Sequence, residues 1–206
     1  MDFQFADLKK PKPYVPYTYD PEPEEWHVLD TFPKARKLIV EVGCGKGAWI
    51  IEQAKENPQT NYIGIERTIN KSKTLLTSSE QAALNNLIAI QADAIALMSQ
   101  KFPKESVDEL YFFYPNPTPK KRQANQRFFV SSAFDVFHQC LKPNGTIYLI
   151  TNIEPYHQEA CNFLENIWGY QILDKKKLPQ DITPRTAFEK RYLDAGEDLF
   201  ELLASK

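Results

Sequence analysis

Cysteine is scarce in this chain of 206 residues, and Cys44, Cys140 and Cys161 form an odd, unclustered set. They supply neither a disulfide framework nor a zinc-ligand spacing, so no metal is expected. Long apolar runs are missing as well. None approaches the ~20 residues of a membrane-spanning helix, so no membrane partner is expected either. The start, Met1-Asp2-Phe3-Gln4-Phe5-Ala6-Asp7, lacks a basic region followed by an apolar core, and cytoplasmic residence is the default that follows. Neither sign of charge dominates: 25 Lys and Arg face 27 Asp and Glu, a formal net charge of −2. That balance argues against nonspecific coating of nucleic acid but leaves room for a local basic patch. His27, His138 and His157 sit in no triad-like setting, no Tyr-x-x-x-Lys pair occurs, and no internal repeat is visible.

What is present is the composition of a soluble globular protein, 42% hydrophobic and 25% charged, at a length that suits one domain. Residues 1–36 hold six of the 15 prolines, with Tyr14, Tyr17, Tyr19 and Trp26 interleaved. They are expected to form an extended arm ahead of a catalytic domain over residues 37–206. The arm's Lys9-Lys10-Pro11-Lys12 and its aromatics could grip an RNA backbone and stack on bases, or the arm could simply pack on the domain surface.

From Leu38 onward, short apolar runs alternate with helical patterns. Strands are predicted at Leu38–Val42, Tyr62–Ile65, Leu87–Ile90, Glu109–Phe113 and Thr146–Ile150. Helices are predicted between them at Ala48–Glu56, Asn70–Ala83, Ala94–Lys101 and Arg127–Leu141, the last stopped by Pro143-Asn144-Gly145. A helix at Tyr156–Ile167, a strand near Tyr170–Leu173, a short helix from Ala187 and a strand near Asp198–Leu203 complete the pattern. The fold class is α/β: a doubly wound, Rossmann-like, seven-stranded and mostly parallel sheet with a late antiparallel strand.

Glu41-Val42-Gly43-Cys44-Gly45-Lys46-Gly47 joins the first strand to the first helix. Glycines there let the backbone turn sharply and approach a ligand, but Gly43 and Gly45 alone would also suit a dinucleotide. Glu41 discriminates. An acid two residues before the first glycine favours a cationic cofactor, S-adenosylmethionine, and would repel a pyrophosphate. Glu66, at the end of the second strand, can accept both ribose hydroxyls, a device that dehydrogenases share. Asp93, after the third strand, can accept from an adenine amino group and can equally cap the following helix.

The run Tyr114-Pro115-Asn116-Pro117-Thr118-Pro119-Lys120-Lys121-Arg122 follows the fourth strand. Prolines fix φ and donate no N–H, so the strand stops and a stiff loop begins at a sheet end where ligands collect. The Asn116 amide can read a base edge, and Lys120, Lys121 and Arg122 can hold phosphates.

Those residues, with Thr151-x-x-Glu154-x-Tyr156 and Thr186-x-Phe188-Glu189-x-Arg191, make the chain resemble the tRNA (guanine-N7)-methyltransferase family from about Leu38 to the C-terminus. The resemblance implies a class I methyltransferase acting on a guanine of the tRNA variable loop, as a monomer or homodimer. It implies cofactor contacts at Glu41, Gly43, Gly45, Glu66 and Asp93, and substrate contacts at Lys120, Asn152, Thr186 and Glu189. It makes Asn116 the catalytic position, touching cofactor and base. The chain departs from the family where Asn116 and Asn152 replace Asp, Gln123 replaces His and Thr118 replaces Trp. A carboxylate would accept from guanine N1–H and stabilise the cationic product ring, so the substitutions are expected to weaken guanine recognition or redirect it. Thr186-x-x-Glu189 is also a capping box by spacing. Two other readings remain: a methyltransferase of another substrate, a small molecule among them, and a weakly active or noncatalytic RNA-binding or partner-binding relative.

Overall fold

The run Leu38–Val42 folds as β1, with all five residues buried, as suits a strand covered on both faces. In the computed structural model, which describes residues 2–15, 28–32 and 36–206, β1 lies inside a seven-stranded sheet. The elements after it are α1 (Ala48–Glu56), β2 (Asn61–Glu66), α2 (Ile69–Ala82), β3 (Leu87–Gln91), α3 (Ala94–Lys101) and β4 (Val107–Phe113). Then come α4 (Phe134–Cys140), β5 (Leu141–Thr151), α5 (Glu154–Asn166), β6 (Gln171–Lys177), α6 (Ala187–Asp194) and β7 (Phe200–Ser205). The strand order is β3-β2-β1-β4-β5-β7-β6, with β1 to β5 parallel and β7 antiparallel to both neighbours. The expected class is therefore the observed one.

Successive strand residues face opposite sides, and the two faces hold different cores. Val40, Val42, Leu110 and Phe112 cluster with Met98 of α3, Phe137 of α4 and Leu164 of α5. Ile39, Tyr111 and Phe113 pack with Trp49 and Ile50 of α1 and Leu75 of α2. Because β1 has β2 on one side and β4 on the other, the loops leaving β1 and β4 diverge and open a crevice at their carboxyl ends.

The predicted helix Arg127–Leu141 is corrected. Lys121–Gln126 form a 3-10 turn, Arg127 is extended, and α4 begins only at Phe134. Two tertiary contacts override the helical pattern. The Arg127 side chain turns inward, and the adjacent Phe128 and Phe129 both pack on Phe112, so three successive side chains turn toward the protein where a helix would spread them about 100° apart. Ser131 Oγ also accepts from Ala133 N, a local bond that competes with helix. β5 starts at Leu141, with a register jump between Val107↔Leu141 and Glu109↔Thr146 that leaves Lys142–Gly145 as a bulge, Asn144 at φ 62°.

Of the arm, Phe3, Ala6 and Tyr14 pack against the core, whereas Tyr17, Tyr19 and Trp26, and also His27, lie outside the described residues. The three cysteines are buried and free. Among the described residues no helix is long and apolar enough to cross a membrane, and no group of three or more His, Cys, Asp or Glu could hold a metal ion.

Candidate active site

β1 delivers Glu41 into the crevice, where it is 2% exposed and its Oε2 has no hydrogen-bond partner. Burial, with a smaller push from the Glu66 charge, raises its carboxyl from 4.5 to about 8. A buried acid without a partner is costly, and a cationic ligand group would both ionise it and satisfy it. The chain then turns through Gly43, Gly45 and Gly47, at φ 77°, 62° and 80°. Side chains rarely adopt that region, and at Gly47 a Cβ would meet Leu75 Cδ1 at 2.3 Å. The space beside Gly45 stays open.

Glu66 braces this loop: Gly45 N donates to its Oε2 at 2.9 Å and Thr68 N to its Oε1 at 2.6 Å. Each carboxylate oxygen keeps a second lone pair for a ligand hydroxyl. Asp93 caps α3, its Oδ1 accepting from Ile95 N and Ala96 N, while its Oδ2 lies 3.6 Å from the Arg67 guanidinium. Both readings of Asp93 from the sequence thus stay open, since one oxygen caps and the other, ion-paired with Arg67, keeps a lone pair with which to accept.

A cleft of about 300 Å³ runs from Glu41, Gly43 and Gly45 past Trp49 and Tyr114 to Thr186, Phe188 and Arg191 at the start of α6. That helix start is held by a network. Thr186 Oγ1 accepts from Glu189 N at 3.1 Å, so the capping role is real. Glu189, 1% exposed, accepts from the Arg185 backbone and guanidinium and, at 3.0 Å, from Tyr114 OH. Burial would raise the Glu189 carboxyl, but the Arg185 bonds outweigh it and hold it below the ordinary value. Arg185 also reaches Glu201 on β7 at 3.1 Å. Glu189 therefore ties α6 to the end of β4, and its oxygens are occupied. Phe188 is 40% exposed, with Lys71 Nζ 5.0 Å from its ring centroid.

The proline loop departs from the cleft at Tyr114, whose φ is 52°. Asn116 is exposed and does not line the cleft; its Oδ1 accepts from Thr118 N at 3.2 Å. Lys120, Lys121 and Arg122 are exposed, and Lys121 pairs with Asp7 of the arm at 2.8 Å. Asn152 Nδ2 donates to Glu197 Oε2 at 2.6 Å.

A family model described as "Putative methyltransferase" matches residues 35–202. The chain belongs to that methyltransferase family. Among curated proteins, this methyltransferase is similar to the tRNA (guanine-N(7)-)-methyltransferase of Chromohalobacter salexigens, 28% identical over 180 residues, 85% of this chain and 73% of the relative. The protein of the same name from Yersinia enterocolitica is 27% identical over 194 residues, 93% of this chain and 80% of the relative. Among solved structures, an antibiotic-related methyltransferase superposes with a TM-score of 0.63 at 18% identity, over 92% of this chain and 97% of that one. A 16S rRNA (adenine(1408)-N(1))-methyltransferase from Catenulisporales acidiphilia, solved with cosubstrate SAM, gives 0.61 at 19% identity, over 91% and 92%. These likenesses in structure show the class I methyltransferase fold.

Sequence reasoning missed the methyltransferase's largest buried polar side chain. Arg127 is 0% exposed and forms an ion pair with Glu159 of α5 at 2.6 Å. Its Nε and Nη2 donate to the carbonyls of Thr118 and Pro119 at 2.9–3.1 Å, so it sets the shape of the loop before Lys120. A charge abutting the apolar Phe128-Phe129-Val130 was the readable signal. Trp49, Lys71 and Phe188 were missed as cleft residues because only the fold brings α1, α2 and α6 together.

Proposed function

We propose that this protein transfers a methyl group from S-adenosylmethionine to tRNA, at guanine N7 in the variable loop. The observation that carries the cofactor reading is the buried, unpartnered Glu41 beside the glycine turn. S-adenosylmethionine supplies an electrophilic methyl on a sulfonium and a cationic amino group. In this reading Glu41 takes the amino group, Gly43 and Gly45 let the backbone approach, Glu66 accepts from the ribose hydroxyls, and the Asp93 oxygen beside Arg67 accepts from the adenine amino group. Residues 37–206 are on this reading the methyltransferase domain, and residues 2–15 belong to the segment 1–36 ahead of it.

On the substrate side, Lys120, Lys121 and Arg122 hold phosphates, and the 40% of Phe188 left exposed between Lys71 and Arg191, both within 6 Å of its ring, gives the cleft mouth an apolar, cation-flanked surface for a base. Guanine N7 already carries an available lone pair, so the protein's task is alignment and exclusion of water rather than proton removal. Asn116, exposed on the loop beside the cleft with its Oδ1 accepting from Thr118 N, keeps one lone pair on that oxygen for the ring as it becomes cationic, a weaker partner than a carboxylate. Thr186 orders the cleft wall as a cap, and Glu189 acts through Tyr114 and Arg185 rather than on the substrate itself. The names of the curated relatives support tRNA and guanine N7 as the target.

The occupied Asn152 and the exposed Asn116 favour one competing reading, a methyltransferase with a different substrate. Mass spectrometry of nucleosides from 7-methylguanosine-free tRNA, incubated with protein and cofactor, separates the two. New 7-methylguanosine supports the proposal, and a different methylated nucleoside redirects it. Unmodified tRNA despite measured cofactor binding would refute it and leave a small-molecule substrate or a noncatalytic role.

A further inference from the structure

Residues 2–15 form neither helix nor strand, yet their start is firmly docked. Gln4 N donates to Pro119 O at 2.9 Å, Ala6 N to Glu159 Oε1 at 2.7 Å, and Lys121 N to Gln4 Oε1 at 3.1 Å. Arg127 Nη2 donates to Gln4 O at 2.9 Å, and the Arg127 guanidinium lies 4.2 Å from the Phe3 ring centroid. The side chain that shapes the proline loop therefore also holds the arm, and the two form one unit.

The arm then continues with Lys9, Lys10 and Lys12, all exposed. Lys9 and Lys12 of the arm and Lys121 of the domain line one groove of about 340 Å³, together with Asn125, Ser131 and Ser132 and an apolar floor that includes Val130 and Phe163. Both the arm and the domain thus contribute cations to the groove, and the domain adds neutral hydrogen-bonding groups. The lining carboxylate is Asp7, which pairs with Lys121 at 2.8 Å, both side chains more than half exposed. Such a surface pair is worth about 0–1 kcal/mol, so a phosphate can displace it. The groove follows directly in the chain from Lys120–Arg122, at the end of the loop that begins at the cleft.

We propose that the docked arm is the second wall of an RNA-binding groove, in which Lys9 and Lys12 contact phosphates of the substrate backbone beyond those held by Lys120–Arg122. The inference rests on the RNA-methyltransferase reading and adds to it a binding surface. A narrow groove with cations from both the arm and the domain suits a flexible polyanion, whereas an acidic protein surface would require a broad, flat patch.

The test uses the full chain with Lys9, Lys10 and Lys12 all changed to Ala, alongside wild type and a Lys9→Arg, Lys12→Arg variant. Binding of unmodified tRNA is followed by fluorescence anisotropy across a salt series. Losing two phosphate contacts should flatten the log–log salt slope by about two units and weaken binding roughly 60-fold near 0.1 M salt, while the Arg variant keeps the wild-type slope. Cofactor affinity and thermal midpoint should not change, because the three lysines lie outside the cleft and are exposed. An alanine variant with wild-type affinity and slope, in a preparation whose wild type methylates tRNA, would overturn the groove and leave the RNA reading intact. Weakened binding with an unchanged slope would also overturn it, since phosphate contacts must release counterions. A wild type that neither binds nor methylates tRNA would remove both.

Discussion

Glu41 makes the cofactor site testable without knowing the substrate. Its carboxyl titrates at about 8 against an ordinary 4.5, mainly through burial. Between those values the folded protein binds a proton at Glu41 that the unfolded chain does not, so this group's contribution to stability is most favourable below pH 4.5, falls as pH rises, and reaches its floor above 8. The gap corresponds to roughly 5 kcal/mol, at about 1.4 kcal/mol per unit. Replacing Glu41 by Gln leaves a polar group of the same shape without the titration. The stability difference between wild type and Glu41→Gln, from urea unfolding at pH 5, 6, 7 and 8, should drift by several kcal/mol in favour of the variant. Ligand binding must reverse the effect. At pH 7 roughly one Glu41 in ten is ionised and at pH 6 about one in a hundred, so affinity for a cofactor amino group should fall tenfold across that unit. Calorimetry in buffers of different ionisation enthalpy should register release of nearly one proton per cofactor bound at pH 6, and none with Glu41→Gln. A flat stability difference together with pH-independent, proton-neutral binding would refute the assignment of Glu41 to a cation.

Arg127→Ala leaves the Glu159 charge buried without its partner and should cost about 3–5 kcal/mol in urea unfolding; a loss below about 1 kcal/mol would mean that the ion pair does not hold the loop. Glu66→Gln sets an amide N–H₂ against one of two backbone N–H donors, Gly45 or Thr68, and should weaken cofactor binding by about 1–3 kcal/mol, with equal affinity by calorimetry removing the ribose assignment. Asn116→Asp retains the oxygen that accepts from Thr118 N and should raise guanine N7 methylation in single-turnover assays, by about fivefold or less because water screens a charge at this exposed position; an unchanged rate would mean that Asn116 does not face the reacting ring. Asn152→Asp would instead face the Glu197 carboxylate at hydrogen-bond distance, so it should help only together with Glu197→Gln; a gain from Asn152→Asp alone would contradict the contact.

Much of the fold was determined by local pattern. Leu38–Val42, Ala48–Glu56 and Ala94–Lys101 occupy the predicted spans, because a buried strand and a short amphipathic helix each carry their period in their own residues. The glycine turn and Glu41 were legible for a related reason: positive φ and a lone acid are properties of a few consecutive residues. The stretch after Gln126 was not. Its helical pattern loses to Arg127 reaching Glu159, 32 residues away, and carbonyls of the proline loop, partners that no local window contains. The same limit applies to the site. Sequence pointed to Thr186 and Glu189, but only the packing of α6 decided that Glu189 is consumed by Arg185 and Tyr114 while Phe188 and Arg191 line the cleft. It decided too that Asn152 faces Glu197 and that Lys9, Lys12 and Lys121 line one groove. A side chain's type is written in the chain, but its charge state and its partners depend on what the fold brings within hydrogen-bond reach and on how much water it excludes.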